Sequence, residues 1–452
     1  MRSWANHLEI VRLKQMNIHQ YDYDLIIIGG GPVGMALALA LRGSGVSVLL
    51  LEARGLPGKT EDPRPLALSY GSRLILQRLG VWKGLPEVTP IYTIHISNQG
   101  GLGRAVLTAA ETGVPALGYV INYHDVFRAM HKALKNCDAD YLTGAQVTRL
   151  ETHAGLGQVE FQHDGVEKKA TARLLVVADG GRLIDQVEGV TQHAHDYQQW
   201  AVVARVKTEH FAEPFPKHFA NTASAPAAKL PAKASVSKRG SAARSSKTTE
   251  SASDAAAQVQ PGVAYERFTP DGPVALLPSG EHFSLVWTVS PSAAQEILAL
   301  DETEFLARLH GHFGDRLGKF VEAGKRSGFP LALKYATPVT ACRVVLVGNA
   351  AQTLHPVAGQ GFNLGLRDAW ELAEEIIASP TQTGTPAMLA RYRDKRQLDS
   401  SVGRIFTDSL VKLFSNNDLL LGTVRSMGLS ALDCLPQAKR FVARRMMFGA
   451  RG

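Results

Sequence analysis

Gly29-Gly30-Gly31-Pro32-Val33-Gly34 satisfies G-x-G-x-x-G directly after the apolar run 25–28, and Glu52 closes the next apolar run. Each residue type has a task there. Gly29 serves a tight turn, Gly31 lets a pyrophosphate approach bare backbone, and Gly34 brings helix against sheet. Pro32 suits the first position of the helix, and the helix N-terminus attracts phosphate. The Glu52 carboxylate holds an unphosphorylated ribose diol, as in NAD or FAD. These residues predict a dinucleotide site.

Two more strand ends carry unusual residues. "RLLVV" leads into Ala178-Asp179-Gly180-Gly181, and "RVVLVG" leads into "GNAAQTLHPVAGQGFNLGLRD", residues 348–368. The second segment holds four glycines and almost no charge between a buried strand and a helix start. Glycine there costs conformational entropy, so a ligand must need the exposed backbone. Leu366, Ala369, Trp370, Ala373, Ile376 and Ile377 follow at helical spacing and predict one apolar face.

These segments need a scaffold, and the spacing supplies one. The stretch from Tyr23 to Arg54 reads as strand, glycine turn, small-residue helix and strand, a βαβ unit. "INYHDVFRAMHKAL" reads as a helix. "GVAYERFTPDGPVALLP" and "HFSLVWTV" read as antiparallel strands separated by turns, and the C-terminal region reads as helices. The expectation is an α/β protein: a Rossmann-like nucleotide-binding part, an antiparallel β-sheet part for substrate, and C-terminal helices. The nucleotide part takes 21–90, 119–188 and 325–385. The substrate part takes 91–118 and 189–324, and 386–452 forms the helical end. Residues 1–20 read as an N-terminal extension. Residues 221–258, nearly all Ala, Ser, Lys and Thr with no aromatic residue, cannot bury enough apolar surface to fold and read as a disordered insertion.

Composition narrows the class. Hydrophobic residues at 45% and charged residues at 20% fit a globular protein. No apolar run is long enough to span a membrane, and the N-terminus lacks the apolar stretch of a secretory signal. The net charge of +8 is concentrated in two appendages, 217–260 and 436–452, which carry +5 each; the body is slightly acidic. That argues against a nucleic-acid-binding fold. Three widely spaced cysteines fit a reducing, cytoplasmic compartment and no disulfide framework. His193 with His195, and His310 with His312, lack the carboxylate or cysteine partners of a metal site.

The glycine loop with Glu52, the Asp179 motif and "GNAAQTLHP" together resemble the three-part signature of FAD-dependent aromatic-ring hydroxylases, the para-hydroxybenzoate hydroxylase class. "DPRPLALSYGSRLILQRLGVW", "ERFTPDGPVALLP", "GKRSGFPLAL" and Asn349-Ala350-Ala351-Gln352 are most similar to the ubiquinone-biosynthesis hydroxylases of the UbiH branch. The resemblance covers about 21–435 apart from the insertion. It implies FAD bound by Gly29, Gly31, Pro32, Gly34, Glu52, Arg64, Asp179, Asn349, Pro356, Gly359, Gly361, Phe362 and Asn363. It also implies NADPH, NADH or another reductant as donor, O2 as oxidant, and a polyprenylated phenol of the 2-polyprenyl-6-methoxyphenol type as substrate.

Backbone N–H groups from Pro356 to Phe362, with the helix N-terminus behind them, are expected to stabilise negative charge on the reduced flavin. Tyr265, Arg267, Phe268 and Trp287 are expected to roof the site, and His355 is a candidate for phenol deprotonation. The sequence departs from the class at Asn349, where an Asp is usual, and at Leu183 and Gln186, where Ser and Arg are usual. The interleaved apolar and basic residues 439–451 suit either a helix on the inner face of the membrane or a packed terminal helix. A ubiquinone-biosynthesis complex is a candidate partner. A flavin halogenase is disfavoured, since "WKGLP" at Trp82 lacks its Trp-x-Trp-x-Ile-Pro. A flavin hydroxylase for another ring position or a soluble aromatic, and a non-catalytic FAD subunit, remain open alternatives.

Overall fold

Strand β1 (Tyr23–Ile28) is apolar at every position after Asp24, as a strand covered on both faces must be. In the computed structural model, which describes residues 21–55, 65–101, 103–209, 261–356, 359–414 and 419–449, it lies at the centre of the parallel part of an eight-stranded sheet. Helix α1 (Pro32–Ala40) and strand β2 (Val48–Glu52) complete the expected βαβ unit. Strand β3 (Val166–Val177) pairs with β1 on the other side, and Val344–Leu346 pairs with β3, both parallel. The ends of β1, β2, β3 and Val344–Leu346 therefore sit side by side. Ligands bind at such carboxyl ends in open α/β sheets. Residues 1–20, Arg64 and 221–258 lie outside the described residues.

A nine-stranded sheet faces this end. Its long strand β4 (Thr191–Thr208) pairs antiparallel with β7 (His282–Val289) and with β8 (Ser327–Thr337), while β5 (Val263–Thr269) and β6 (Gly272–Ser279) extend it. One neighbouring pair, β5 with Thr93–Asn98, is parallel. The sheet also takes in β8, whose residues fall within the 325–385 segment expected of the nucleotide part. Alternation decides its two faces. Phe283, Leu285, Trp287, Val274 and Leu276 pack beneath Pro291–Ala299 and Glu302–Phe313, and the other face looks toward the parallel sheet.

Helix α2 (Gln360–Ala378) buries Leu366, Ala369, Ala373 and Ile376, as its periodicity predicts; Ile377, at 47% exposed, falls off that stripe. Three further helices follow, α3 (Pro386–Phe414), α4 (Leu419–Cys434) and α5 (Pro436–Phe448). Helix α5 buries Lys439, Ala443 and Met447, one side chain per turn, and leaves Arg440, Phe441 and Arg444 outside. Lys439 Nζ pairs with Glu111 at 3.0 Å and Asp433 at 3.4 Å. One face of the basic tail is thus packed, and the other is exposed.

Candidate FAD and aromatic-substrate site

The glycine loop is built as its spacing requires. Gly29 has φ +112, and a Cβ there would stand 2.5 Å from the Ala178 carbonyl oxygen. A Cβ on Gly34 would lie 2.0 Å from the Gly29 oxygen, so this glycine serves helix–turn packing. Around Gly31 nothing lies within 4 Å of the Cβ position, and the residue lines a cavity of about 720 Å³. Bare backbone facing open space is what a pyrophosphate needs. Pro32 stands at the start of α1 beside Gly31, and no side chain caps the helix. Its first N–H groups are therefore available to an anion.

Glu52 is buried at the end of β2 and braces the loop. Its Oε2 accepts the Gly30 N–H at 2.7 Å; its Oε1 accepts Arg54 N–H and Nε–H at 3.0 and 2.7 Å. Oε2, with one bond, keeps acceptor capacity for a ribose hydroxyl. Arg54 also lines the cavity.

Asp179 lies across the cavity, with Oδ1 accepting the Gly181 N–H at 2.8 Å and Oδ2 the Leu183 N–H at 2.9 Å. Burial raises its carboxyl, while those N–H groups pull it back down. No α-helix follows. A short 3-10 turn, Ile184–Gln186, has no side-chain cap. Gln186, in the position where the resembled class has Arg, ties that turn to the neighbouring strand: its Oε1 accepts the Leu150 N–H at 2.9 Å.

The last motif divides into cavity-lining and structural residues. Asn349, Pro356, Gly361 and Phe362 line the cavity, and nothing lies within 4 Å of a Gly361 Cβ. Gly359 has another task. It caps α2 with φ +59, and a Cβ there would stand 2.9 Å from Ala67 Cβ. Asn363 is 1% exposed and wholly engaged with the protein. Its Oδ1 accepts Ser69 N–H and Ser72 Oγ–H at 2.8 and 2.7 Å; its Nδ2 donates to the Ala67 and Gly359 carbonyls at 2.9 and 2.7 Å. Beneath the motif, Gly348 N–H donates to Asp368 at 3.0 Å, and buried Arg396 donates to Asp368 and Asp399 at 2.8 Å each.

Ala201, Val203, Val286, Phe329 and Leu331 give the cavity an apolar wall. The expected roof is corrected by strand parity. Tyr265 and Trp287 belong to the opposite, helix-covered face, and Arg267 shares that face, with Nη1 donating to Ser97 Oγ at 3.3 Å. Phe268 is on the cavity side of the sheet but packs away from it, against Ala105 and Leu429. Aromaticity drew attention to the wrong parity; alternation counted from Trp287 finds Val286.

His355 is 1% exposed, edge-on to Tyr197 with ring centroids 5.3 Å apart, and it is absent from the cavity wall formed by its neighbours Leu354 and Pro356. Burial pushes its imidazole down to about 4. His193 stacks on Tyr335 and His195 lies against Tyr197. Among the described residues no group of three His, Cys, Asp or Glu could hold a metal, and no helix is long and apolar enough to cross a membrane.

A fold of this kind, with a glycine-loop βαβ unit and an apolar sheet across one cavity, defines a flavoprotein class. The chain belongs to the family described as FAD binding domain, whose model matches residues 22–401. It is 32% identical to the ubiquinone hydroxylase UbiL of Rhodospirillum rubrum, covering 94% of this chain and 89% of that one. It is 28% identical to the 3-demethoxyubiquinol 3-hydroxylase of Escherichia coli, covering 92% and 96%. The crystal structure of p-nitrophenol 4-monooxygenase PnpA from Pseudomonas putida shares the fold, with a TM-score of 0.66 at 15% identity and coverage of 95% and 99%.

Proposed function

We propose that this protein is an FAD-dependent monooxygenase that hydroxylates the ring of a polyprenylated phenol in ubiquinone biosynthesis. The observation that carries the reading is the apolar set Ala201, Val203, Val286, Phe329 and Leu331, which lines the same cavity as Gly361 and Phe362. In this reading an aromatic ring lies against that set, whose apolar side chains would keep water from it. The names of the relatives point to the same substrate class.

In this reading Gly31, Pro32 and the start of α1 hold the pyrophosphate, Glu52 the adenosine ribose, and Asp179 with Asn349 the ribityl chain. Pro356, Gly361 and Phe362 take the isoalloxazine, and the α2 N-terminus offers N–H groups to negative charge there. Gly34, Gly359 and Asn363 shape the site without touching the cofactor through side chains. Bound FAD, with O2 and a reduced nicotinamide, supplies the oxygen and the electrons. His355 is assigned to packing against Tyr197, because a base held near 4 accepts a phenol proton poorly.

The substrate partitions into lipid, and we place the enzyme at the cytoplasmic membrane surface. Arg440, Phe441 and Arg444 on the outer face of α5, with Leu435 and Met427 nearby in sequence, would make a peripheral contact. Deleting the gene and identifying the quinone precursor that accumulates tests the substrate assignment: a prenylated phenol lacking one ring hydroxyl supports it, and an unchanged quinone pool contradicts it.

A further inference from the structure

Among the described residues, none of α5 lines the cofactor cavity, yet the end of this helix reaches both supports of the flavin loop. The first contact is at Ser69, where the strand Pro65–Ser69 passes into the helix Tyr70–Arg78. Ser69 Oγ–H donates to the Met447 carbonyl at 3.0 Å, and the same oxygen accepts the Ser72 N–H at 3.1 Å. Ser69 N–H and Ser72 Oγ–H are the two donors that hold Asn363 Oδ1 in the first turn of α2. Gly71 permits the approach, because a Cβ there would overlap the Met447 oxygen. Beside it Tyr70 and Phe448 meet edge to face, with ring centroids 6.1 Å apart.

The second contact is at Asp399 of α3. Gly449 ends α5 with φ +75, and its backbone abuts the Asp399 carboxylate so closely that a Cβ would overlap Oδ1. The other oxygen, Oδ2, accepts Arg367 Nε–H of α2 at 2.9 Å and Arg396 Nη1–H at 2.8 Å. Arg396 also donates to Asp368, whose Oδ2 takes the Gly348 N–H. One contact therefore leads to the start of α2 and the other to the Gly348–Asn349 turn, each through hydrogen bonds. Packing is incomplete there: Met446, Met447, Gln360 and Asn363 line a cavity of about 70 Å³. The hydrogen bonds are left to set the spacing.

We infer that Met447, through its carbonyl, and Gly449, through its approach to Asp399, are positioning residues for the flavin loop. They act through Ser69, Asn363 and Asp399 and touch nothing in the cavity. Their effect is to fix the α2 N-terminus, whose N–H groups face negative charge on the reduced flavin. A small shift of that N-terminus weakens binding of the reduced flavin more than of the oxidised one, because the charge belongs to the reduced ring.

This role rests on the reading that Pro356, Gly361 and Phe362 take the isoalloxazine, and the experiment separates the two. Full-length wild type, Gly71→Ala, Gly449→Ala and Ser69→Ala are loaded with FAD. The melting temperature of each FAD-free chain, its FAD dissociation constant and the reduction potential of its bound flavin are measured. Gly71→Ala sets a methyl group against the Met447 carbonyl, and Gly449→Ala sets one against Asp399. Ser69→Ala removes the hydrogen bond to Met447 without adding bulk. None of the three substitutions alters a residue that lines the cofactor cavity. Each variant is expected to bind reduced flavin about tenfold less tightly relative to oxidised flavin, a fall of ~30 mV in potential. An unchanged potential in the variants, whatever their melting temperatures, would overturn the assignment and leave the flavin site standing. Wild type that binds no FAD would overturn the flavin site, and this role with it.

Discussion

Asn363 Oδ1 accepts the backbone N–H of Ser69 at 2.8 Å, across 294 residues of chain. With its three other bonds, this amide fastens the start of α2 to Pro65–Ser69 and fixes the height of the flavin loop. Asn363→Ala leaves several buried groups without partners, each costing about 1–3 kcal/mol. Thermal denaturation should show a loss of roughly 3 kcal/mol in the FAD-free protein. Asn363→Asp should do no better, because a carboxylate cannot donate to the Ala67 and Gly359 carbonyls. An alanine variant as stable as wild type would refute this role.

Two glycines of one motif should fail in different ways. A Cβ at Gly31 has no protein atom within 4 Å, so Gly31→Val should fold and elute colourless, its flavin absorbance lost. Gly34→Val meets the Gly29 oxygen, so the variant should lose soluble, folded protein whether or not FAD is added. Full yellow colour in folded Gly31→Val would place the pyrophosphate elsewhere.

Much of this division was legible beforehand, and the rest was not for definite reasons. The βαβ unit, Glu52 and the apolar face of α2 follow from local spacing, which sequence records directly. The structural work of Asn363 and Gly359 depends on Ala67 and Ser69, in a distant part of the chain, and no local pattern encodes such a contact. The roof failed on parity: Trp287 drew attention by size, although one residue shifts a strand from one face to the other.

The burial of His355 carries a pH signature. Its imidazole titrates near 4 in the folded chain, below the ordinary 6.5, so the unfolded chain binds more protons between those values. Its contribution to stability is fully present above pH 6.5 and is lost as pH falls toward 4. Denaturant unfolding of His355→Gln from pH 7 to 4 should show a shallower decline than wild type. Parallel curves would mean that the imidazole does not titrate in this environment.

The outer face of α5 should confer salt-sensitive lipid binding. Arg440 and Arg444 are expected to contribute about 1 kcal/mol each at an anionic surface, while Lys439 is occupied by Glu111 and Asp433. Flotation with anionic liposomes should fall for Arg440→Glu with Arg444→Glu and Phe441→Ser, and for wild type at high salt. Equal flotation of wild type and the triple variant would remove this face from the membrane contact.

The origin of the new oxygen atom tests the account most directly. Purified FAD-loaded protein, reduced nicotinamide and a short-tailed prenylphenol are incubated under ¹⁸O₂, and the product is weighed by mass spectrometry. The account predicts a ring-hydroxylated product carrying one ¹⁸O atom, formed in proportion to nicotinamide oxidised. Nicotinamide oxidation that yields only H2O2, or a hydroxylated product carrying oxygen from water, would contradict it.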